Sequence, residues 1–208
     1  LKLGIKKIET SISLSQTYNK KNLGLNLSQS TENLKMLVKA ALQSNLKIRA
    51  GLQCVWGCPY DGDIAENEII KKLSDILDMG ISKIALCDTS GMATPRSISE
   101  LFETIFKTFP KIELCIHLHN TYGRGLTNLS RAMQFDIIEI DTSFGGIGGS
   151  PFIEGSSGNI ATEDTLNLLE RLGYHTGINI RKIAELSRKF EGQIGRGYFS
   201  GQFHRSLK

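Results

Sequence analysis

Runs rich in Ile, Val and Leu alternate with stretches of helical apolar period along the whole chain. Residues 5–14 predict a strand, and residues 28–44 predict an amphipathic helix with Leu34, Leu37, Val38, Ala41 and Leu42 on one face. The pairing then repeats as strand 47–55 and helix 65–79, strand 83–88 and helix 95–109, strand 113–119 and helix 123–134. A fifth strand, 137–141, runs into a glycine-rich loop and a helix over 162–172. Gly80 follows a helical pattern and Pro95 opens one, the usual stop and start positions.

Strands alternating with helices imply a parallel sheet covered by helices, either doubly wound or closed into a barrel of eight βα units. Residues suited to catalysis gather at strand C-terminal ends: Asp88, His117 with His119, and Asp141. That placement favours the α/β TIM (β/α)8 barrel, whose active sites lie at that face. Only five strands are legible, whereas a complete barrel takes about 250 residues. The chain opens Leu1-Lys2-Leu3 without methionine and enters a strand pattern almost at once. The expectation is one catalytic barrel domain over 1–208, incomplete, with about five of eight βα units. Residues 179–208 should form a C-terminal helical extension, with helical spacing through Ile180, Ile183, Ala184 and Leu186. The Gly- and Arg-rich segment after Gly192 should fray.

Composition narrows the class. With 208 residues, 40% hydrophobic and 22% charged, 21 Gly and 4 Pro, the chain can bury a sizeable core and is neither disordered nor collagen-like. No apolar run approaches the ~18 residues of a membrane span. Lys and Arg exceed Asp and Glu by 25 − 21 = 4 without forming a run, which argues against a nucleic-acid surface and allows a small anionic substrate. Four cysteines are too few for a disulfide framework, and the C-x3-C spacing of Cys54 and Cys58 is neither a redox nor a usual zinc motif. A reducing, cytoplasmic compartment is expected.

In residues 113–119 the two-residue period puts Cys115, His117 and His119 on one side of the strand and Leu114, Ile116 and Leu118 on the other. Two imidazoles one residue apart at the barrel mouth suit a shared divalent metal. The alternative is a pair of ordinary strand histidines bonded to neighbours. The loop from Gly145 to Asn159 holds glycines that let main chain approach a ligand closely, but it contains neither the P-loop nor the G-x-G-x-x-G pattern. Read alone, it is equally a flexible surface loop.

Four stretches carry a resemblance: Gly57-Cys-Pro-Tyr-Asp-Gly62, Asp88-Thr-Ser-Gly-Met-Ala-Thr-Pro95, His117-Leu-His-Asn-Thr-Tyr-Gly123, and the loop from Gly145 through Gly-Asn-Ile-Ala-Thr-Glu-Asp164. In order and interval they resemble the 3-hydroxy-3-methylglutaryl-CoA lyase family, a branch of the metal-dependent aldol and Claisen-type barrel enzymes. Sister acyl-CoA synthases share H-x-H-N but carry Gly-Glu-Arg where this chain has Gly149-Ser-Pro. The resemblance implies that His117, His119 and Asn159 hold a divalent cation, magnesium or manganese. It makes Asp88 an active-site acid, places Gly148 and Gly149 in the substrate loop, and has Glu163 and Asp164 hold that loop or its neighbours. Glu163 and Asp164 also read as carboxylates favoured in the first turn of a helix.

Two departures from the family pattern matter. The fourth metal ligand, an Asp, and the adjacent Arg that polarises the thioester lie on a first strand that is not found in this sequence. The catalytic loop cysteine corresponds to Ser150. An alcohol is a far weaker acid than a thiol titrating near ~8.5, so Ser150 would hydrogen-bond an enolate readily and protonate it poorly. Cys54 and Cys58 lie near another strand end, and Cys87 and Cys115 are strand residues to be packed. The implied activity is carbon–carbon cleavage of 3-hydroxy-3-methylglutaryl-CoA to acetoacetate and acetyl-CoA. His117 or Asp88 would take the hydroxyl proton and Ser150 would serve the enolate. The implied partners are an acyl-CoA and a second copy in a homodimer, with no nucleic acid and no membrane. Two other readings stand: the same chemistry on another 3-hydroxyacyl-CoA, and a degenerate homologue that binds metal or acyl-CoA without turnover.

Overall fold

A computed structural model describes residues 4–156 and 158–207. Leu1, Lys2 and Leu3, which prompted the expectation of a missing start, lie outside the described residues, as does Ser157 in the glycine loop. Five strands, β1 (Lys7–Ser13), β2 (Lys47–Gln53), β3 (Lys83–Asp88), β4 (Glu113–Leu118) and β5 (Ile137–Asp141), form one parallel sheet in sequential order. This is the order of consecutive βα units in a TIM barrel, here open between β1 and β5.

The helices are α1 (Gln16–Leu23), α2 (Leu27–Gln43), α3 (Glu66–Asp78), α4 (Pro95–Thr108), α5 (Gly125–Ala132), α6 (Thr162–Arg171), α7 (Ile180–Ile194) and α8 (Phe203–Ser206). None of them is long and apolar enough to cross a membrane. The main core lies between sheet and helices. Leu52, Ile84, Leu86, Leu114 and Ile116 meet Leu73, Ile76, Ile98, Phe102 and Ile105, all fully buried. Phe102 sits edge-on to Phe106 and Phe135 and touches Trp56, which locks α4 against its neighbours.

Three expectations are corrected. In α2, Leu34, Val38 and Ala41 are buried, but Leu37 and Leu42 are 40% and 48% exposed. They flank the stripe instead of lying on it, because 3.6-residue spacing centres the buried face on the other three. Helix α1 was not expected, since Gln-Thr-Tyr-Asn-Lys-Lys-Asn-Leu has no apolar period. Its ends form it: Ser15 accepts the Tyr18 N–H at 3.0 Å, and Gly24 closes it at φ 71°. The segment after Gly192 does not fray. Helix α7 runs to Ile194, after which a 3-10 turn (Arg196–Tyr198) and α8 fold back onto the loop at the end of β5.

The other face of the sheet is polar. Glu9, Arg49, Lys83 and Glu139 line it toward the strand N-terminal ends, small residues Gly51, Ala85, Cys87 and Cys115 fill its middle, and His117 and Asp141 stand at the C-terminal end. Arg49 gathers the charges. Its Nε donates to Glu9 at 2.9 Å, Nη1 to Glu139 at 3.2 Å, and Nη1 and Nη2 to the two oxygens of Asp141 at 2.8 and 2.9 Å. A bulge in the β4–β5 ladder pairs Leu114 with Ile137 but Cys115 with Glu139, so Asp141 lands opposite His117.

Candidate active site

Strand β4 delivers His117, and backbone pairing just beyond it delivers His119. The Asn120 N–H bonds Gly158 O at 2.9 Å and the Ile160 N–H bonds Leu118 O at 3.1 Å, making an antiparallel bridge between His119 and Asn159. The two imidazoles converge, with Nε2 atoms 3.3 Å apart. His117 Nδ1 lies 3.4 Å from Asp141 Oδ2, a contact that favours the Nδ1–H tautomer and leaves the Nε2 lone pair free. Burial would raise the Asp141 carboxyl, yet hydrogen bonds from His117 and Arg49 outweigh it and hold the group below the ordinary carboxylate value. Burial, helped by the neighbouring His117, lowers His119 to about 4, so this imidazole is neutral at physiological pH.

Asn159 completes the constellation. Its Nδ2 donates to Ile147 O at 3.0 Å and Gly148 O at 3.1 Å, which fixes the amide, while its Oδ1 is buried without a hydrogen-bond partner. The backbone bridge sets Asn159 opposite His119, so the orphaned amide oxygen and the two imidazole nitrogens could serve as donors to a cation. Two nitrogens on one ion with bonds of about 2.1 Å stand about 3 Å apart, so the imidazole spacing fits. Among the described residues no three His, Cys, Asp or Glu side chains converge on one point. The set is two imidazoles and an amide.

The glycine loop folds over this set. Gly148 O also accepts the Asn159 N–H at 3.0 Å. A Cβ on Gly149 would stand 2.5 Å from Ser156 O, so the loop closes on itself only with glycine there. Ser150 stands on the rim, its N–H bonded to Ser156 Oγ at 3.2 Å, and Ser156 Oγ lies 3.5 Å from His119 Nδ1. The loop's base rests on α6. Glu163, fully buried in the first turn, accepts the Gly145 N–H with both oxygens at 3.0 and 3.1 Å, so the helix-terminus and loop-holding readings describe one carboxylate.

Asp88 sits apart from the imidazoles. In register with Leu118, it follows the face opposite Cys87 and His117. Its Oδ1 accepts the Ala93 N–H at 3.1 Å and its Oδ2 is buried without a partner. Burial raises this carboxyl to about 7 against the pull of the backbone N–H groups of the turn before α4 and of Arg124.

Sequence reasoning missed two contributors. Tyr18 on α1 reaches Ser150 from the far end of the chain. The C-terminal strap grips the loop from outside: Phe199 packs so closely on Gly145, at φ 63°, that a Cβ there would lie 2.2 Å from its ring. Ser200 Oγ donates to Asn159 O at 2.7 Å, and the Gly201 N–H bonds Gly145 O at 2.9 Å. Asp164 receives the N–H groups of Gln202 and Phe203 at 2.9 and 2.6 Å. Buried His204 stands 2.9 Å from Glu163 and 3.4 Å from Glu191, with neither nitrogen aligned for a hydrogen bond. Gly145 and Asp164 were visible in the sequence; the strap had no period to reveal it.

Residues 2–189 match the HMGL-like family model. The chain belongs to the HMGL-like family. Among curated members it is 35% identical over 182 residues to the mitochondrial hydroxymethylglutaryl-CoA lyase of Homo sapiens, covering 88% of this chain and 56% of that one. It is also 35% identical over 193 residues to hydroxymethylglutaryl-CoA lyase YngG of Bacillus subtilis (strain 168), covering 93% of this chain and 64% of that one. The chain therefore spans 56–64% of the length of these relatives. A solved HMG-CoA lyase of Acinetobacter baumannii, in complex with coenzyme A and 3-methylmalate, superposes with a TM-score of 0.90 at 32% identity, covering 98% of this chain and 66% of that one. The five-stranded sheet is thus that of an HMGL-like barrel.

Proposed function

We propose that this chain carries the metal-binding and loop half of a carbon–carbon lyase acting on 3-hydroxy-3-methylglutaryl-CoA, giving acetoacetate and acetyl-CoA. The observation that carries the reading is the pair of facing imidazole Nε2 atoms together with the buried, unpartnered Oδ1 of Asn159, whose backbone is bridged to His119 under a glycine loop. His117, His119 and Asn159 would hold magnesium or manganese, which when bound supplies Lewis acidity to the 3-hydroxyl and a neighbouring carboxylate oxygen. Gly148 aims Asn159, Gly149 lets the loop close, and Glu163 anchors the loop through Gly145.

Of the two groups considered for the hydroxyl proton, His117 is favoured by position. His117 stands within the donor set with Asp141 behind it, whereas Asp88, its carboxyl raised to about 7 by burial, follows the opposite face of the sheet. Ser150, at the rim, serves the departing enolate. Ser150 in place of a thiol favours a second reading, in which the loop has been refitted to another 3-hydroxyacyl-CoA. The acyl-CoA partner is supported by the coenzyme A in the related lyase structure. Four buried, free thiols are consistent with a reducing cytoplasm.

The test is a coupled assay of the intact protein with magnesium or manganese against a panel of 3-hydroxyacyl-CoA thioesters, run beside His119→Ala. Cleavage of the methylglutaryl thioester, with metal affinity in the variant lowered more than about tenfold by calorimetry, is the expected outcome. Unchanged metal affinity in His119→Ala, or turnover of only another thioester, would sink the first reading.

A further inference from the structure

Tyr18 Oη and Ser150 Oγ lie 3.1 Å apart, although 132 residues separate them. The tyrosine is only 4% exposed, packed with Cys54, Cys58 and Ile153 and edge-on to Phe152. It is also firmly placed. Ser15 caps the turn that carries it and donates to Asp61 at 2.6 Å, and the Asn19 side chain is bonded to Ser30 at 2.7 Å. On the loop side, Ser150 Oγ lies 3.4 Å from the Phe152 N–H.

A hydroxyl has two acceptor sites and one donor. With Phe152 N–H on one acceptor site and Tyr18 O–H on the other, the Ser150 proton is left for a third group on the open side of the loop. Burial pushes the Tyr18 phenol above its ordinary value, against the hydrogen bond to Ser150, so the phenol keeps its proton at working pH. The adjacent Cys54 thiol is pushed up to about 12 by burial and supplies no thiolate to compete.

We infer that Tyr18 and Ser150 form a two-hydroxyl relay that protonates the thioester enolate, in the place where the family pattern has a loop thiol. The inference rests on the lyase reading above. When the carbon–carbon bond breaks, its electron pair stays on the thioester α-carbon. The Ser150 O–H bond breaks as the new C–H bond forms, and the Tyr18 O–H bond breaks as that of Ser150 re-forms. The phenolate regains a proton from water as products leave, balancing the one taken from the 3-hydroxyl, and nothing is oxidised or reduced. Even raised by burial above its ordinary value near 10, a phenol lies far closer to the acidity of a thiol, near 8.5, than an alcohol does. Tyr18 acts through Ser150 and does not touch substrate, so it is a positioning and proton-supplying residue.

The experiment compares the intact protein, Tyr18→Phe, Ser150→Cys and the double variant. It measures steady-state cleavage and the wash-in of deuterium from heavy water into the methyl group of acetyl-CoA, which reports proton transfer without bond cleavage. Tyr18→Phe should lower kcat about 100-fold with KM within about twofold, and slow wash-in to match. In the Ser150→Cys background the same change should cost less than about threefold, because the thiol carries its own acidic proton. Equal losses in both backgrounds, or lost cleavage with intact wash-in, overturn the relay and leave the lyase reading standing. Neither cleavage nor wash-in by the unaltered, metal-bound protein overturns both.

Discussion

A carboxyl buried with one oxygen unpartnered stores a cost that depends on pH, and Asp88 is such a group. Its pKa is raised from 3.8 to about 7 by burial, so between these values the folded chain holds a proton that the unfolded chain has lost. The stability this provides is complete below pH 4 and is lost as pH rises to about 7. Asp88→Asn removes the titration. The stability of the variant relative to the parent should therefore rise by about 4 kcal/mol between pH 4 and 7.5, read by urea denaturation at both ends. A difference that stays flat across that window would mean that Asp88 ionises as freely in the fold as out of it. At this scale the sequence disclosed the ligand candidates because H-x-H on a strand is a local pattern. It did not disclose the state of Asp88, since only the folded chain buries the carboxyl deeply enough to outweigh the pull of Arg124 and of the Gly91, Met92 and Ala93 N–H groups.

At the scale of elements, legibility followed periodicity. Strands β3 and β5 match their expected bounds, and α4 and α6 do so to within one residue, because each carries an unbroken apolar rhythm and, for α4, Pro95 after the Thr94 cap. Helix α1 rests on its ends and the strap on contacts made at a distance, and neither leaves such a rhythm. The strap holds the loop by Phe199, 7% exposed, against Gly145. Phe199→Ala should remove about 3 kcal/mol of local stability. Backbone amides between Gly145 and Asn159 should then exchange about a hundredfold faster, with those of α4 unchanged. Loop amides as slow as in the parent would show that Glu163 alone suffices to hold it. Tyr18 was illegible for a related reason: nothing local to Gln16–Leu23 points to a residue of the glycine loop.

For the whole molecule, among the described residues the sheet has two free edges, with β1 bonded only to β2 and β5 only to β4. Edges of this kind pair with further strands, and β5 also exposes Ile138. The 208-residue chain by itself should self-associate, its sedimentation coefficient rising with concentration, as a second copy covers an edge. A single monomeric boundary at all concentrations would count against open edges in solution.

Arg49 has a consequence for how the molecule is assembled in time. It joins Glu9 of the first strand to Asp141 of the last, and 92 residues separate it from Asp141. A bond of that span forms only after the chain between its ends has been gathered, and ordering that chain costs entropy before the contact repays it. Contacts within helices α3 and α4 are local, whereas the curl that brings β5 toward β1 is long-range and is expected to form late. Asp141 faces His117 on the same sheet edge, so the pocket's electrostatics are set in the step that finishes the sheet, and a chain arrested before it would possess its helices and lack its site.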